Sequence, residues 1–342
     1  MDSSSIQGQV KIVAGLPRAG KAPRLLAEFR EFLANRQSPA FLSQATLPAG
    51  QMPQGLWICP SQHNLESLRC GLLRDGDRAY LGPQMLTFAR FAEGLIAGSG
   101  QRIRPVSILQ RRRMLQRVIE TVVSRGELKH LSGVAHTPGF VEQVDQQIAE
   151  LKRRDIWPDE YVRLAQTQRE QDLGHLYAAY QQQLQAGDLY DTEGRFWAAR
   201  EIIASRAASP AHRYGLVVVA GFRDFTAAQY DILRLLASQT DSLQITLTCE
   251  EQGEGTPGTA SPAGRGLLFS KTYGTLARLQ ELLPGSELEC VAAPPLAVPA
   301  LEYLRSRLFE DETSPPGIEG PISGLEILAA QSVQGECEEV AL

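Results

Sequence analysis

The chain has 342 residues, of which 43% are hydrophobic and 21% are charged, which is typical of a folded globular protein with room for two domains. Its formal net charge of −5 excludes a generally basic nucleic-acid binder but leaves room for a local basic surface. The sequence contains no apolar run of about 18 residues and no signal-peptide pattern at its start. We therefore expect a cytoplasmic protein with no membrane segment.

The five cysteines are widely spaced and form no C-x-x-C pair, and the five histidines show no metal-binding spacing. We expect reduced thiols that mostly fill space as small apolar groups. A disulfide framework, a zinc site and an iron–sulfur cluster are not expected in this segment.

The first strong pattern is a strand, a glycine loop and a helix near the start of the chain. An apolar run leads to Gly15, and Gly20 and Lys21 then complete the spacing G-x-x-x-x-G-K. Such glycines let backbone N–H groups face phosphate oxygens, while the lysine adds a positive charge for the outer phosphates. The predicted nucleotide contacts are Gly15, Arg18, Ala19, Gly20, Lys21 and Ala22. The alternative interpretation is an ordinary glycine-rich turn between strand and helix.

Ala22 departs from the standard loop, because a Ser or Thr hydroxyl normally follows the lysine and binds Mg²⁺. We therefore expect ATP to be bound weakly, if it is bound, and without the usual magnesium ligand from this position.

A helix is predicted after the loop, over residues 24–35. Residues 56–59 then predict a short buried strand, and Ser61 is expected to cap a helix over residues 62–73. Two successive strand–helix units favour a parallel α/β sheet. After a turn at residues 75–77, residues 87–97 predict another amphipathic helix.

From residue 103 to about residue 197 the hydrophobic pattern has a helical period and strand signals vanish. Ser107 opens a helix with a capping-box pattern, and Thr137 followed by Pro138 begins another. Further helices are predicted from Pro158 and over residues 172–186. This block between strand–helix units predicts an inserted all-helical subdomain.

Strand signal returns in the last third of the chain. The proline- and glycine-rich residues 250–266 predict a flexible loop, and residues 334–342 begin a helix that does not finish, so we expect a piece of a longer protein. The other predicted elements are strands at residues 216–220, 243–248 and 325–329, and helices from Thr226 to Ser238 and over residues 275–283 and 299–309.

Residues 217–236, VVVAGFRDFTAAQYDILRLL, together with the glycine–lysine loop, resemble the N-terminal part of the AddB-type helicase–nuclease subunits of bacterial double-strand-break repair. Nearly the whole chain is covered by this resemblance, because further stretches agree in order, at residues 56–73, 139–161, 172–196 and 335–341. It implies a P-loop NTPase-like fold of the superfamily 1 helicase type, DNA as a ligand and an AddA-like helicase/nuclease partner subunit. The family's nuclease domain would lie much further along.

This resemblance and the element pattern predict four parts. Residues 1–100 would form the first part of a P-loop α/β core, and residues 101–212 the helical insertion. Residues 213–300 would complete the core. Residues 301–342 would form a connection and the truncated start of a second helicase-like domain.

Two positions depart from the family's pattern at the end of its central strand. The family usually has Asp-Gly-Phe there, with the aspartate contacting Mg²⁺, whereas this chain has Ala220 before Gly221 and Phe222. Gly221 also stands where an active helicase would place a catalytic glutamate. Since Ala22 removes the other metal ligand, we expect ordinary ATP hydrolysis to be impaired and leave open whether this segment is an enzyme. Asp224 either substitutes for the missing carboxylate or is a turn residue before Thr226.

Basic residues are concentrated in the helical part. Residues 101–130 carry eight basic side chains against two acidic ones, and Lys152-Arg153-Arg154 forms a second cluster. Such a surface neutralises DNA phosphates without reading sequence. The predicted DNA contacts are Arg111, Arg112, Arg113, Lys152, Arg153 and Arg154. The alternatives are a solvated helix face and contacts with other domains.

Residues 310–342 contain eight acidic side chains and no basic one, which argues against DNA contact at that end. Glu336, Glu338 and Glu339 fit a solvated helix start better than a pair of catalytic carboxylates. We therefore expect a degenerate nucleotide pocket in a DNA-guiding and subunit-binding scaffold. The alternatives are an active DNA-dependent ATPase motor with relocated metal ligands and a purely structural scaffold.

Overall fold

The computed structural model describes residues 8–36, 54–73, 84–206, 214–250, 266–309 and 328–341. The strands in these ranges are β1 (Gln9–Gly15), β2 (Gln54–Cys59), β3 (Gln84–Thr87), β4 (Arg104–Pro105), β5 (Leu189–Tyr190), β6 (Tyr214–Val219), β7 (Thr240–Thr248) and β8 (Glu287–Cys290). Six of them form one sheet in the order β3-β2-β6-β7-β1-β8, and β4 pairs separately with β5.

The described helices surround this sheet. They are α1 (Lys21–Arg36), α2 (Gln62–Leu72), α3 (Phe88–Ala97), α4 (Ile108–Ser124), α5 (Pro138–Arg153), α6 (Pro158–Leu164), α7 (Gln168–Ala186), α8 (Gly194–Arg206), α9 (Ala227–Ala237), α10 (Gly266–Leu282), α11 (Pro299–Arg307) and α12 (Val333–Ala341). None of these described helices is long and apolar enough to cross a lipid bilayer.

Every neighbouring pair of strands in the six-stranded sheet is parallel. The central strands β2 and β6 are buried along almost their whole length, as a parallel strand covered on both faces must be. The predicted α/β class with a parallel sheet flanked by helices is therefore confirmed.

The alternation of side chains along the strands divides the core into two layers. One layer contains Ile12, Ile58 and Val219 and lies under α3, α8, α9 and α10. The other contains Val13, Trp57 and Val218 and lies under α1 and α2. In this second layer Phe29 meets Trp57 edge to face, with ring centroids 5.5 Å apart.

Residues 107–206 are almost entirely helical, and we call them the helical region. Ser107 forms the predicted capping box with Gln110. The buried side chains of α4, α5 and α7 belong to the same hydrophobic cluster as the core layer of Ile12, Ile58 and Val219. The helical region and the sheet therefore share one continuous core. The prediction that strands vanish between residues 103 and 197 is wrong at the bridge between β4 and β5.

Several boundaries differ from the sequence prediction. The short strands β3 and β8 were not predicted, because β3 has four residues and β8 alternates acidic side chains with apolar ones. Helix α10 begins nine residues before the predicted start at Thr275. Leu328 and Ala329 do not lie in a strand, and the rest of the strand predicted there lies outside the described residues, as do the turn at residues 75–77 and most of the loop at residues 250–266.

Candidate functional site

The glycine–lysine loop lies where β1 ends and α1 begins, as predicted. Residues 16–20 make a tight turn in which the N–H of Ala19 donates to the carbonyl of Leu16. Arg18 and Gly20 have positive φ angles of 66° and 79°. Gly20 adopts this conformation without strain, whereas Arg18 is held in it by the turn. Ala22 and Arg18 are exposed to solvent, and Ala19 is buried.

Lys21 folds back onto the loop instead of extending into solvent. Its Nζ donates to the carbonyl of Gly15 at 2.5 Å and to that of Leu16 at 2.8 Å, and only 9% of the residue is exposed. Burial lowers the pKa of Lys21, an effect that the nearby Cys249 opposes only in part. Burial raises the pKa of Cys249 to about 11, so its thiol is neutral near pH 7. Among the described residues no carboxylate pairs with Lys21, and the two carbonyl oxygens are its hydrogen-bond partners.

Gly15 is required because a neighbouring backbone leaves no room for a side chain, and not because of its φ angle. An ideal Cβ at this position would lie 2.4 Å from the carbonyl oxygen of Val291, just after β8. The N–H of Val291 donates to the carbonyl of Ala14 at 2.8 Å, which brings the two backbones this close. A side chain at residue 15 would push this pairing apart.

The loop lies at the carboxyl end of β1, between β7 and β8 in the order of the sheet. The connection after β1 leads to α1 on one face, whereas the one after β7 leads to α10 on the other. Neighbouring parallel strands whose connections diverge in this way leave an opening at their carboxyl ends, where α/β proteins bind ligands.

The end of β6 carries the second predicted departure. Ala220 is buried, and its N–H donates to the carbonyl of Ile58. Gly221 has a φ of 88°, and its N–H donates to the hydroxyl of Thr246 on β7 at 3.2 Å. This strand end therefore presents backbone and a threonine hydroxyl instead of a carboxylate.

Asp224 is held on the side of α10. Its Oδ1 accepts the N–H of Phe225 at 2.7 Å, and its Oδ2 pairs with Lys271 at 3.1 Å. The hydroxyl of Thr275 lies 3.4 Å from Oδ1. These contacts are those of a turn residue that precedes the capping box of Thr226. Within the described ranges, no three His, Cys, Asp or Glu side chains gather as a metal-binding group.

Of the three consecutive arginines at residues 111–113, one forms an ion pair and two are exposed without a described partner. Arg111 donates to Asp145 at 2.7 Å, and its side chain is 19% exposed. Arg112 and Arg113 are exposed, and no described side chain pairs with either. The two are therefore available to a phosphate, while Arg111 ties α4 to α5.

The prediction that Lys152 contacts DNA is wrong for this structure. Its side chain is 0% exposed, and its Nζ pairs with Asp191 at 2.7 Å. Trp197 and Tyr180 flank the ammonium at 5.3 and 5.4 Å, and the Tyr180 hydroxyl also donates to Asp191. The sequence contained the signal, because residue 152 continues the four-residue spacing of the buried Phe140, Val144 and Ile148 along α5.

Arg153 and Arg154 do reach the surface but are paired. Arg153 contacts Glu150 and Glu193, and Arg154 contacts Glu150 at 2.9 Å. They line a cavity of about 720 Å³ beside the start of α9, which we call the α9 cavity. Other side chains that define it are Glu150, Asp224, Lys271 and Arg278, the last stacked on Tyr230 at 4.8 Å.

A second basic cavity was not predicted as a site. It has a volume of about 440 Å³ and lies between α4 and the β4–β5 bridge, and we call it the α4 cavity. Its defining side chains are Arg104, Gln110, Arg113, Arg117, Gln183 and Leu189. The sequence shows these arginines among eight basic residues, but only the pairing of Arg104 with Leu189 brings the two parts of the chain together.

A parallel sheet with a glycine–lysine loop at the carboxyl end of β1, joined to a basic helical region, defines an α/β protein that gathers positive charge at its loop and cavities. Residues 44–301 match the family described as "ADDB, N-terminal". The chain belongs to this family, and the resemblance drawn from the sequence is confirmed.

Named relatives agree. The chain is 28% identical, over 97% of its length, to an ATP-dependent helicase/deoxyribonuclease subunit of Desulforudis audaxviator. It is 26% identical, over the same share, to the proteins of the same name from Moorella thermoacetica and Pelotomaculum thermopropionicum. The chain spans 28% of the length of each of these relatives.

Proposed function

We propose that this chain is the N-terminal, helicase-like region of a subunit of a DNA double-strand-break repair helicase/nuclease, with a degenerate nucleotide pocket and impaired ATP hydrolysis. It guides DNA and contacts an AddA-like partner subunit. Its sheet and loop belong to the P-loop NTPase type, and the helical region is an insertion between the two parts of that core.

One observation carries the proposal. The loop keeps the glycines, the lysine and the helix start that bind phosphate, while alanine occupies both positions from which protein ligands would reach Mg²⁺. No described carboxylate pairs with Lys21, so its positive charge favours an anion at the loop, and the end of β6 at Ala220 and Gly221 offers no carboxylate to a metal. Binding without efficient hydrolysis follows from this combination.

A nucleotide would have to draw Lys21 away from two carbonyls. Among the N–H groups at the start of α1, Pro23 removes one donor from the first turn. These two features favour weak binding, in contrast to a loop with a hydroxyl in place of Ala22.

The test is titration calorimetry of ATP with and without Mg²⁺. We expect weak binding that is indifferent to Mg²⁺ and is lost in Lys21→Ala and in Lys21→Met, the latter keeping the packing volume of the buried stem. Arg163→Ala, an exposed cation on α6 outside the loop, serves as the control for a nonspecific charge effect. Thermal unfolding of each variant verifies that the fold is intact.

The alternative, a working motor with relocated metal ligands, requires magnesium-dependent binding and DNA-stimulated turnover that Lys21→Ala abolishes. The candidate replacement ligand, Asp224, pairs with Lys271 on α10, which disfavours this alternative. Absence of any nucleotide binding would leave the purely structural scaffold.

A further inference from the structure

We propose that the α4 cavity is a binding site for phosphate groups, with Arg104, Arg113 and Arg117 as the charged contacts. The assignment of those phosphates to a DNA strand rests on the proposed function, whereas the site itself rests on the cavity. No part of the glycine–lysine loop contributes to it.

The three arginines have no side-chain partner within the described ranges. No described carboxylate or other side chain pairs with Arg104, Arg113 or Arg117, and every described side chain that lines the cavity besides them is uncharged. Like charges gathered around one opening repel each other unless an anion lies between them. In the α9 cavity, by contrast, Glu150 and Asp224 neutralise the neighbouring cations.

The walls of the cavity are fixed by backbone bonds. The N–H of Arg104 donates to the carbonyl of Asp188, and that of Val106 to the carbonyl of Tyr190, both at 2.9 Å. On the other wall the capping box of Ser107 and Gln110 holds the first turn of α4. The backbone positions of the three arginines are therefore fixed in the absence of a ligand.

The lining favours a phosphate ester over a small isolated anion. Arg113 and Arg117 stand one helical turn apart, with Cβ atoms about 6 Å from each other, so they can contact successive phosphates. Gln110 uses its amide oxygen to accept the N–H of Ser107, which leaves its amide nitrogen as a donor. Met114 and Leu189, both half-buried, supply an apolar surface for a sugar or a base.

A guanidinium group forms bidentate bonds with phosphate oxygens, which a lysine ammonium does not. All three cations of the α4 cavity are arginines, so each of them can bind a phosphate in this way. The phosphates can come from a DNA strand or from a free polyphosphate, and the experiment separates these sources.

The experiment compares the chain with two triple variants of equal charge. The cavity variant carries Arg104→Gln, Arg113→Gln and Arg117→Gln. The control carries Arg163→Gln, Arg169→Gln and Arg234→Gln, which are exposed and do not line the cavity. Fluorescence anisotropy with a labelled single-stranded oligonucleotide is measured at several salt concentrations, and calorimetry is run with inorganic pyrophosphate. Circular dichroism verifies that each variant is folded.

We expect the cavity variant to bind the oligonucleotide about 10- to 100-fold more weakly near 0.1 M salt, with the slope of log K against log salt smaller by about 0.7 for each arginine removed. The control should change affinity by less than about threefold, since long-range charge is largely screened at this salt. Measured in a Lys21→Ala background, which removes the loop as a second phosphate site, pyrophosphate should bind to the chain and to the control but not to the cavity variant.

Equal losses in both variants, or none in the cavity variant, would overturn the phosphate site while leaving DNA binding by the chain intact. If the chain bound no oligonucleotide but bound pyrophosphate through these arginines, the DNA role would fail and the site would belong to a free polyphosphate. Binding of neither probe would overturn the site.

Discussion

The two basic cavities differ in how their charge is used. The α9 cavity contains four cations, but Arg153, Arg154 and Lys271 each contact a carboxylate and Arg278 lies on an aromatic ring. The α4 cavity contains three arginines and no described carboxylate. In the sequence, the continuous run Lys152-Arg153-Arg154 suggests the stronger DNA site. In the structure, the three arginines of the α4 cavity carry the more available charge, because no described carboxylate pairs with them.

Burial removes a further cation of the Lys152-Arg153-Arg154 run from the surface. Lys152 belongs to the same run as Arg153 but takes part in the core, where Asp191 and Tyr180 hold it between α5 and α7. One position along a helix turns a side chain by about 100°, which is enough to move it from the surface to the interior. The four predictions below test the comparison, from the largest expected effect to the smallest.

Replacing Lys152 by Met should destabilise the fold by about 3–5 kcal/mol, because Asp191 would be left buried without its partner. Urea unfolding measures this loss. Arg154→Met in the same run is the matched control and should change the free energy of unfolding by less than about 1 kcal/mol, as for an exposed ion pair. Equal stability of the two variants would show that Lys152 is not part of the core.

The contribution of Asp191 should depend on acid pH. Burial alone would raise the pKa of Asp191, but its bonds from Lys152, the Gly194 N–H and Tyr180 outweigh burial and lower the pKa below its unfolded value. A carboxyl with a lowered folded pKa stabilises the fold above the unfolded pKa of about 3.9 and loses that contribution as pH falls through the folded pKa.

The measurement is the difference in unfolding free energy between the chain and Asp191→Asn, taken from pH 7 down to pH 2. We expect this difference to be constant above about pH 4 and to shrink below it. A difference that grows on acidification would contradict the ionised pair.

Gln110→Glu should place a carboxylate among the arginines of the α4 cavity, as Glu150 and Asp224 are placed among the cations of the α9 cavity. A glutamate keeps the capping box and adds a negative charge to the first turn of α4, which should stabilise the fold by about 0.3–1 kcal/mol. The same carboxylate would form an ion pair with Arg113, three positions later. The slope of log K for DNA binding against log salt should then be smaller by about 0.7. An unchanged slope would mean that the ligand does not enter the cavity.

Glu150→Gln should do the reverse in the α9 cavity. Removing this carboxylate frees Arg154 and one contact of Arg153, at a cost in stability of less than about 0.5 kcal/mol because the pairs are exposed. Oligonucleotide anisotropy should show slightly tighter binding if these arginines reach DNA, as predicted. A weaker complex would place Glu150 itself in the interface.

The sequence predicted the elements whose signals are local. Ser61, Ser107 and Thr226 cap their helices as expected, and the apolar runs at β2 and β6 form interior strands of the sheet. These features depend on neighbouring residues and on burial from both faces, which leave a readable pattern.

What the sequence did not predict depends on distant parts of the chain. Strand β8 has only four residues, two of them acidic, and its place beside β1 is fixed by pairing, with Lys11 and Arg24 both contacting Glu289. The α4 cavity likewise needs β4 and β5, which have two residues each and lie far apart in the chain. Neither has a local pattern that distinguishes it from a loop.

The position of β1 also governs the order in which the chain can assemble. This strand lies between β7 and β8, so its neighbours in the sheet are the last two of the described strands to be synthesised. Such non-local pairing is slow, because the connecting chain must lose entropy before the contacts form. The bond between the N–H of Val291 and the carbonyl of Ala14, which fixes the chain beside Gly15, can therefore form only after more than 270 further residues have been synthesised.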